Sequence, residues 1–218
     1  MYDDGCVIAH AMNVIGERWS ILIVRELLLG PKRFTDLDNA LRNVGPNVLA
    51  QRLRDLETSG VLRRRTLPPP ASSRVYQLTE WGAELGPVLA GLARWGATSP
   101  VTAPAGPAGA DSLMLGLRTF FKSASRPWAA RFNVVLGADH YAVSVSDRGL
   151  DVTRGQHTDA DATLITDTAT FSALLEKSIR IKAAMDDRRL TADGNVALLQ
   201  RLITAVAIPQ PHQQSHER

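Results

Sequence analysis

Between Ala97 and Ser112 the sequence runs ATSPVTAPAGPAGADS, and ten of these sixteen residues are Ala, Pro or Gly. Val101 is its only large apolar side chain, too little to offset the entropy of ordering the segment. Pro100, Pro104 and Pro107 favour a semi-extended linker, residues 97–112. A chain of 218 residues interrupted there is expected to fold as two bodies, residues 1–96 and 113–208, each of ordinary domain size. Residues 209–218, PQPHQQSHER, are polar and read as a tail. No internal repeat relates the two bodies. With 44% hydrophobic and 22% charged residues, the chain is globular in composition.

Several function classes drop out early. Cys6 is the single cysteine, which excludes an intrachain disulfide and a Cys-rich zinc site. No run of about 18 apolar residues offers a membrane span. The first residues carry Asp3 and Asp4 instead of a basic stretch before an apolar one, so they do not read as a signal peptide, and the cytoplasm is expected. No phosphate-cradling glycine loop, nucleophile elbow or HExxH motif occurs, so no cofactor is implied and an enzyme is not expected. His212 and His216 are spaced i, i+4 but lie in the polar tail, so they read as solvated and no metal site is expected. Asp159 with Asp161, and Asp186 with Asp187, fit turn chemistry.

The first body reads as helix, helix, helix, helix, hairpin, helix. Apolar periodicity marks helices over Cys6–Ile15 and Arg18–Leu29, the second ended by Gly30-Pro31. Thr35 is placed to cap a short helix reaching Leu41. Pro46 opens a helix to Thr58, which Gly60 ends. Val61–Thr66 and Arg74–Leu78 read as a hairpin, followed by one long helix from Thr79 to Trp95. A short helix, a break and a second helix before a hairpin is the pattern of a winged helix-turn-helix. In the fourth helix Leu49, Leu53 and Leu56 share one face, and Asn47, Gln51, Arg54 and Thr58 the opposite one. Gln can bond adenine bidentately, and Arg guanine. The net charge of the chain is only +3, yet residues 42–74 hold seven arginines against Asp55 and Glu57, the local footprint of a polyanion site.

The runs GERWSILIVRELLLGPKRFTDLDNAL, GPNVLAQRLRDLETSGVLRR and RVYQLTEWG resemble the HxlR branch of the MarR-like winged-helix regulators across almost all of residues 5–96. The resemblance implies a homodimer on a pseudo-palindromic DNA operator, with N-terminal and last helices paired across the two-fold. It implies that the helix Pro46–Thr58 enters the major groove. Asn47 and Gln51 are then base readers, with Arg52 and Arg54 nearer phosphate. Ser72, Ser73 and Arg74 sit at the wing, and Arg33 and Thr35 fall where phosphate contacts lie. Many relatives have Lys in place of Asn47, and the wing PPPASSRVYQLT departs from the usual pattern. The apolar strip Leu85, Val88, Leu89, Leu92 and Trp95 suits either core or dimer interface. The resemblance also implies a redox role for Cys6. A thiol near a helix start has a lowered pKa, while Asp3 and Asp4 push the other way, and a buried inert thiol is the plain alternative.

The second body opens with a helix over Leu113–Lys122 and continues in short alternating stretches, Arg131–Leu136, Tyr141–Ser146, Gly149–Arg154 and Ala162–Thr166, linked by turns. A largely antiparallel sheet is expected. Helices over Thr168–Glu176 and Ile179–Met185, a strand at Arg189–Ala192 and a helix over Asn195–Val206 complete an α+β order. The run FSALLEKSIRIKAAMDDRRLTADGNVALLQRL resembles sterol-carrier-protein domains, although that family often has Gly where Arg188 stands. The resemblance implies a five-stranded sheet against helices around an apolar tunnel. The expected lining is Phe121, Trp128, Phe132, Val134, Tyr141, Val143, Phe171, Leu175, Ile179, Met185 and Leu202. The plain alternative is that these are core.

The sequence therefore reads as a homodimeric DNA-binding transcription regulator, cytoplasmic and nucleoid-associated, whose second domain holds an apolar small molecule or lipid effector. The alternatives are a lipid or small-molecule carrier whose winged domain mainly dimerises, and a thiol redox-sensing regulator acting through Cys6.

Overall fold

Helices α1 (Val7–Ile15) and α2 (Ser20–Leu27) open the chain, with Trp19 turning it between them at φ +81°. The structure, a computed structural model, describes residues 2–68, 72–101, 106–123 and 127–209. The tail from 210 onward, with His212 and His216, and parts of the expected linker and wing lie outside the described residues. The chain divides into two compact units, Met1–Leu89 and Ala90–Arg218. No single helix among the described residues is long and apolar enough to cross a membrane.

In the first unit α3 (Phe34–Ala40) and α4 (Pro46–Thr58) follow, then a hairpin of β1 (Leu62–Thr66) and β2 (Arg74–Leu78). Thr35 does not cap α3 as expected. The Arg33 amide donates to the Asp36 carboxylate at 2.9 Å, so the cap and the helix start lie two residues earlier. The long helix expected from Thr79 is two: α5 (Glu80–Ala83) and α6 (Leu85–Ala97). Pro87 explains the break. It has no N–H for the carbonyl of Ala83, and its ring collides with that carbonyl in a continuous helix. Ile23, Val24, Leu37, Leu49, Leu53 and Leu56, all fully buried, form the centre of the core. Glu26, 3% exposed, is neutralised by Lys32 at 2.5 Å and Arg25 at 2.7 Å. Lys32 also exchanges backbone hydrogen bonds with Tyr76, an antiparallel bridge that places its backbone beside β2 as a one-residue third strand of the wing.

The second unit contains α7 (Ala110–Phe120), β3 (Ala130–Leu136), β4 (Asp139–Ser146), β5 (Gly149–Arg154), β6 (Ala162–Thr166), α8 (Thr168–Leu175), α9 (Ile181–Asp186), β7 (Leu190–Gly194) and α10 (Val196–Thr204). The sheet order is β5-β4-β3-β6-β7. Three pairs are antiparallel, and β3–β6 is parallel, which the hairpin reading did not anticipate. The cause lies in the polar stretch between β5 and β6. It crosses to the far side of β3, and the buried Asn133 side chain clamps it through both backbone groups of His157, at 2.8 and 3.0 Å.

Helix α7 starts at Ala110, inside the segment read as linker, and Asp111 in its first turn is 3% exposed. Its carboxylate accepts two bonds from Arg154, at 2.6 and 2.7 Å, and one from the Tyr141 hydroxyl at 2.5 Å. Burial, reinforced by the Asp111 carboxylate, pushes the Tyr141 phenol far above its usual pKa, so it remains a donor. Burial opposes the charge of Arg154, but the bonds from Asp139 and Asp111 outweigh it and hold the guanidinium protonated.

Candidate nucleic-acid interface

Helix α4 is fixed by its leucines. Leu49, Leu53 and Leu56 are each 0% exposed, and Pro46 at the first position sets the entry of the chain. The opposite face is therefore held rigidly outward. Asn47, Gln51 and Arg54 are exposed on it, as expected, and Arg52 is half-buried at its flank. Arg54, Gln51, Asp55 and Arg52 form one chain of contacts. Arg54 donates to the Gln51 carbonyl at 2.6 Å, and the Gln51 amide donates to Asp55 at 2.7 Å. Arg52 bonds the other oxygen of Asp55 at 2.9 Å and reaches Glu17 at 3.4 Å. Gln51 thus keeps one N–H and one carbonyl lone pair for a further partner, the donor–acceptor pair that adenine matches.

Val48 was not singled out from the sequence, yet it is 44% exposed in the first turn of α4. The signal was its place one residue beyond Asn47, on the flank of the polar face. An exposed apolar side chain there suits a thymine methyl.

The wing carries the other part of the surface. In β1 only Leu62 is buried, and Arg63, Arg64 and Arg65 are exposed. Arg64 is engaged by Glu57 at 2.9 Å and lies over the Tyr76 ring, which ties the wing to α4. Arg63 and Arg65 belong to the opposite face of the hairpin, across from Gln77 and Val75. They were counted in the basic segment but not assigned to the site. Arg74 and Ser72 are exposed, and Ser73 is half-buried with its carbonyl accepting from Leu67 at 2.9 Å. Pro69–Ala71 lie outside the described residues. Arg33 and Thr35 are exposed at the start of α3. Since α4 holds two arginines against Asp55 and Glu57, the excess positive charge of this region belongs to the wing.

Cys6 is exposed at the N-cap of α1. The backbone N–H groups of Ile8 and Ala9 hold its thiol below the ordinary pKa, and the Asp4 carboxylate is occupied with the Cys6 amide at 2.8 Å.

In the second unit the expected tunnel residues divide. Phe132 and Val134 on β3, Tyr141 and Val143 on β4, and Phe171 on α8 are 0% exposed, so no water-sized space touches them. Leu175 and Leu202 are buried beside them. These seven are packing residues here. Ile179 and Met185 are half-buried. Phe121 and Trp128 are also half-buried and face each other with ring centroids 6.4 Å apart. Trp128 alone of the eleven lines an open groove of about 540 Å³ beside α10.

Residues 14–101 match the HxlR-like helix-turn-helix family, and residues 121–207 match the SCP-2 sterol transfer family. The chain is 38% identical over 85 residues to the Bacillus subtilis (strain 168) protein named "Uncharacterized HTH-type transcriptional regulator YvaP", covering 39% of this chain and 79% of that one. It is 34% identical over 85 residues to the HTH-type transcriptional regulator YodB of the same organism, covering 39% and 76%. The solved reduced form of YodB from B. subtilis superposes with TM-score 0.39 at 32% identity, over 43% of this chain and 92% of that one. The chain belongs to the HxlR-like helix-turn-helix transcriptional regulators and carries a second domain of the SCP-2 sterol transfer type.

Proposed function

We propose that the chain acts as a cytoplasmic homodimer that reads a pseudo-palindromic DNA operator, and that a small molecule held by the second domain modulates this binding. The observation that carries the DNA reading is the exposed face of α4, where Asn47, Val48, Gln51 and Arg54 stand on a fully buried three-leucine ridge. Asn47 and Gln51 supply amides for adenine, Val48 a methyl contact for thymine, and Arg54 a guanine or phosphate contact. Arg63, Arg65 and Arg74 on the wing, with Arg33 and Thr35 on α3 and Ser72 and Ser73 beside the wing tip, hold the flanking backbone. Such contacts position the protein without reading sequence.

The dimer reading is supported by apolar side chains left in solvent. Val7, Ile8 and Met12 on α1 are 82%, 69% and 40% exposed. Trp81 and Val88 are half in solvent and line a recess of about 250 Å³ with His10, Ala11 and Val14. Two copies place their reading helices one helical turn apart, about 34–36 Å, and double the base contacts. The test is selection from randomised duplexes with the full chain. The expected result is an inverted repeat with that spacing. Recovery of no preferred sequence contradicts the reading.

A second reading has its own observation. Cys6 is exposed and its thiol is acidified by the start of α1, which favours reaction with an oxidant or electrophile. On this reading Cys6→Ser abolishes the response of DNA binding to peroxide or diamide, while the basal affinity is kept. An undiminished response in that variant removes it.

A further inference from the structure

Asp55 is out of keeping with a helix face that meets phosphates. It is half-buried at the flank of the outward face of α4, one turn beyond Gln51. A carboxylate in that place repels a polyanion. Both of its oxygens have work inside the protein. Oδ1 accepts from the Gln51 side-chain amide at 2.7 Å, and Oδ2 accepts from Arg52 at 2.9 Å. On the other side of the same amide, the Arg54 guanidinium donates to the Gln51 carbonyl oxygen at 2.6 Å.

These neighbours decide which end of the amide is which. A carboxylate only accepts and a guanidinium only donates. Reversing the amide end for end sets its oxygen against Asp55 and its NH2 against Arg54, and both charge-assisted bonds are lost. Gln51 is therefore held with its NH2 toward Asp55 and its oxygen toward Arg54. A glutamine without such neighbours turns either way. Adenine offers an acceptor at N7 beside a donor at N6, and a T·A step presents the same two groups in the opposite order across the major groove. A free amide thus suits adenine on either strand, and an amide of fixed polarity suits one. We propose that Asp55 is a specificity-determining residue: by holding the polarity of the Gln51 amide, it makes α4 distinguish A·T from T·A at the step that Gln51 meets. Asp55 touches no base itself and acts as a positioning residue through Gln51. The proposal rests on the reading of α4 as the base-contacting helix.

The test is competitive binding of the full chain to duplexes built on the sequence enriched by selection. They differ only at the step whose preference Gln51→Ala removes, set to A·T, T·A, G·C or C·G. Wild type is compared with Asp55→Asn and Asp55→Ala. Asparagine is nearly the same size but offers one accepting oxygen where aspartate offers two, and its NH2 can donate to a reversed Gln51. Both variants are expected to lose about fivefold or more of the ratio between A·T and T·A, while both steps stay preferred over G·C and C·G. Affinity for a scrambled duplex is expected to rise, because a negative charge beside the phosphates is gone, the opposite of what a damaged fold gives. An unchanged ratio between A·T and T·A in the variants, an equal loss at all four steps, or a wild-type preference for G·C or C·G at that step overturns the proposal and leaves the DNA reading standing. Intact preferences in Gln51→Ala overturn it as well. A wild-type chain that enriches no sequence contradicts the DNA reading itself, and the proposal falls with it.

Discussion

Arg188 and Lys177 each stand just past the end of a helix with φ near +60°. Each closes a Schellman turn. The amides of Arg188 and Arg189 donate to Met185 and Ala184, and those of Lys177 and Ser178 to Leu174 and Ala173. The conformation costs a residue with a side chain about 1–2 kcal/mol, and glycine escapes it at some loss of chain entropy. Arg188→Gly is therefore expected to raise stability by about 0.5–1 kcal/mol in urea unfolding, and a lower midpoint contradicts this. The sequence showed the departure at Arg188, since sterol-carrier-type domains often have Gly there, but not the backbone angle that makes it costly. Asp167 gives the pH-dependent case. It caps α8 by accepting from the Thr170 amide at 2.6 Å, and that bond depresses its carboxyl pKa. A depressed carboxyl stabilises the fold above its unfolded pKa and loses that contribution as pH falls through the folded one. Asp167→Ala is expected to cost about 1 kcal/mol at pH 7. The difference from wild type is expected to shrink below about pH 4, where the unfolded carboxyl takes up its proton. A difference independent of pH contradicts the capping role.

Elements show which signals a sequence carries. Strands β2, β5 and β6 and helices α4 and α8 lie within a residue of their expected positions, because alternation and leucine spacing are local. The break between α5 and α6 was also local, since Pro87 stands in plain view, yet the apolar strip around it drew one continuous helix. Two features needed distant partners. Asp111 looks like the end of a linker until Arg154 and Tyr141, 43 and 30 residues away, meet it in the core. The parallel pairing of β3 and β6 depends on Asn133 gripping His157 across 24 residues. Gly82 belongs to the same class. A Cβ there would lie 1.9 Å from the carbonyl oxygen of Val61, where α5 closes on the start of the wing. Gly82→Ala is expected to destabilise the first unit by about 2 kcal/mol or more, read as a lower urea midpoint. An unchanged midpoint contradicts that packing. In the candidate DNA site, Asn47, Gln51 and Arg54 were legible from the helical wheel. The tie of Gln51 and Arg54 to Asp55 and Arg52 was not, because it depends on rotamers.

At the scale of the whole molecule the chain joins an HxlR-like helix-turn-helix domain to a domain of the SCP-2 sterol transfer type, and the proposed function depends on what each leaves exposed. The first unit leaves apolar side chains on α1 and around Trp81 and Val88 in solvent, the expected mark of a surface that pairs with a second copy. If the proposed dimer forms through this surface, the full chain sediments as a dimer and the double variant Ile8→Glu, Val88→Glu as a monomer, and a dimer that persists in the variant contradicts that interface. The second unit has filled its centre with aromatic side chains and opened a groove beside α10 instead. The proposed function stands or falls with base reading by α4. It is tested most directly by competition between an enriched duplex and a scrambled one of equal length, with wild type and Gln51→Ala at fixed salt. Gln51→Ala is expected to lose about 1–3 kcal/mol of discrimination at one base position of each half-site while affinity for the scrambled duplex stays near wild type. Unchanged discrimination in that variant would contradict it.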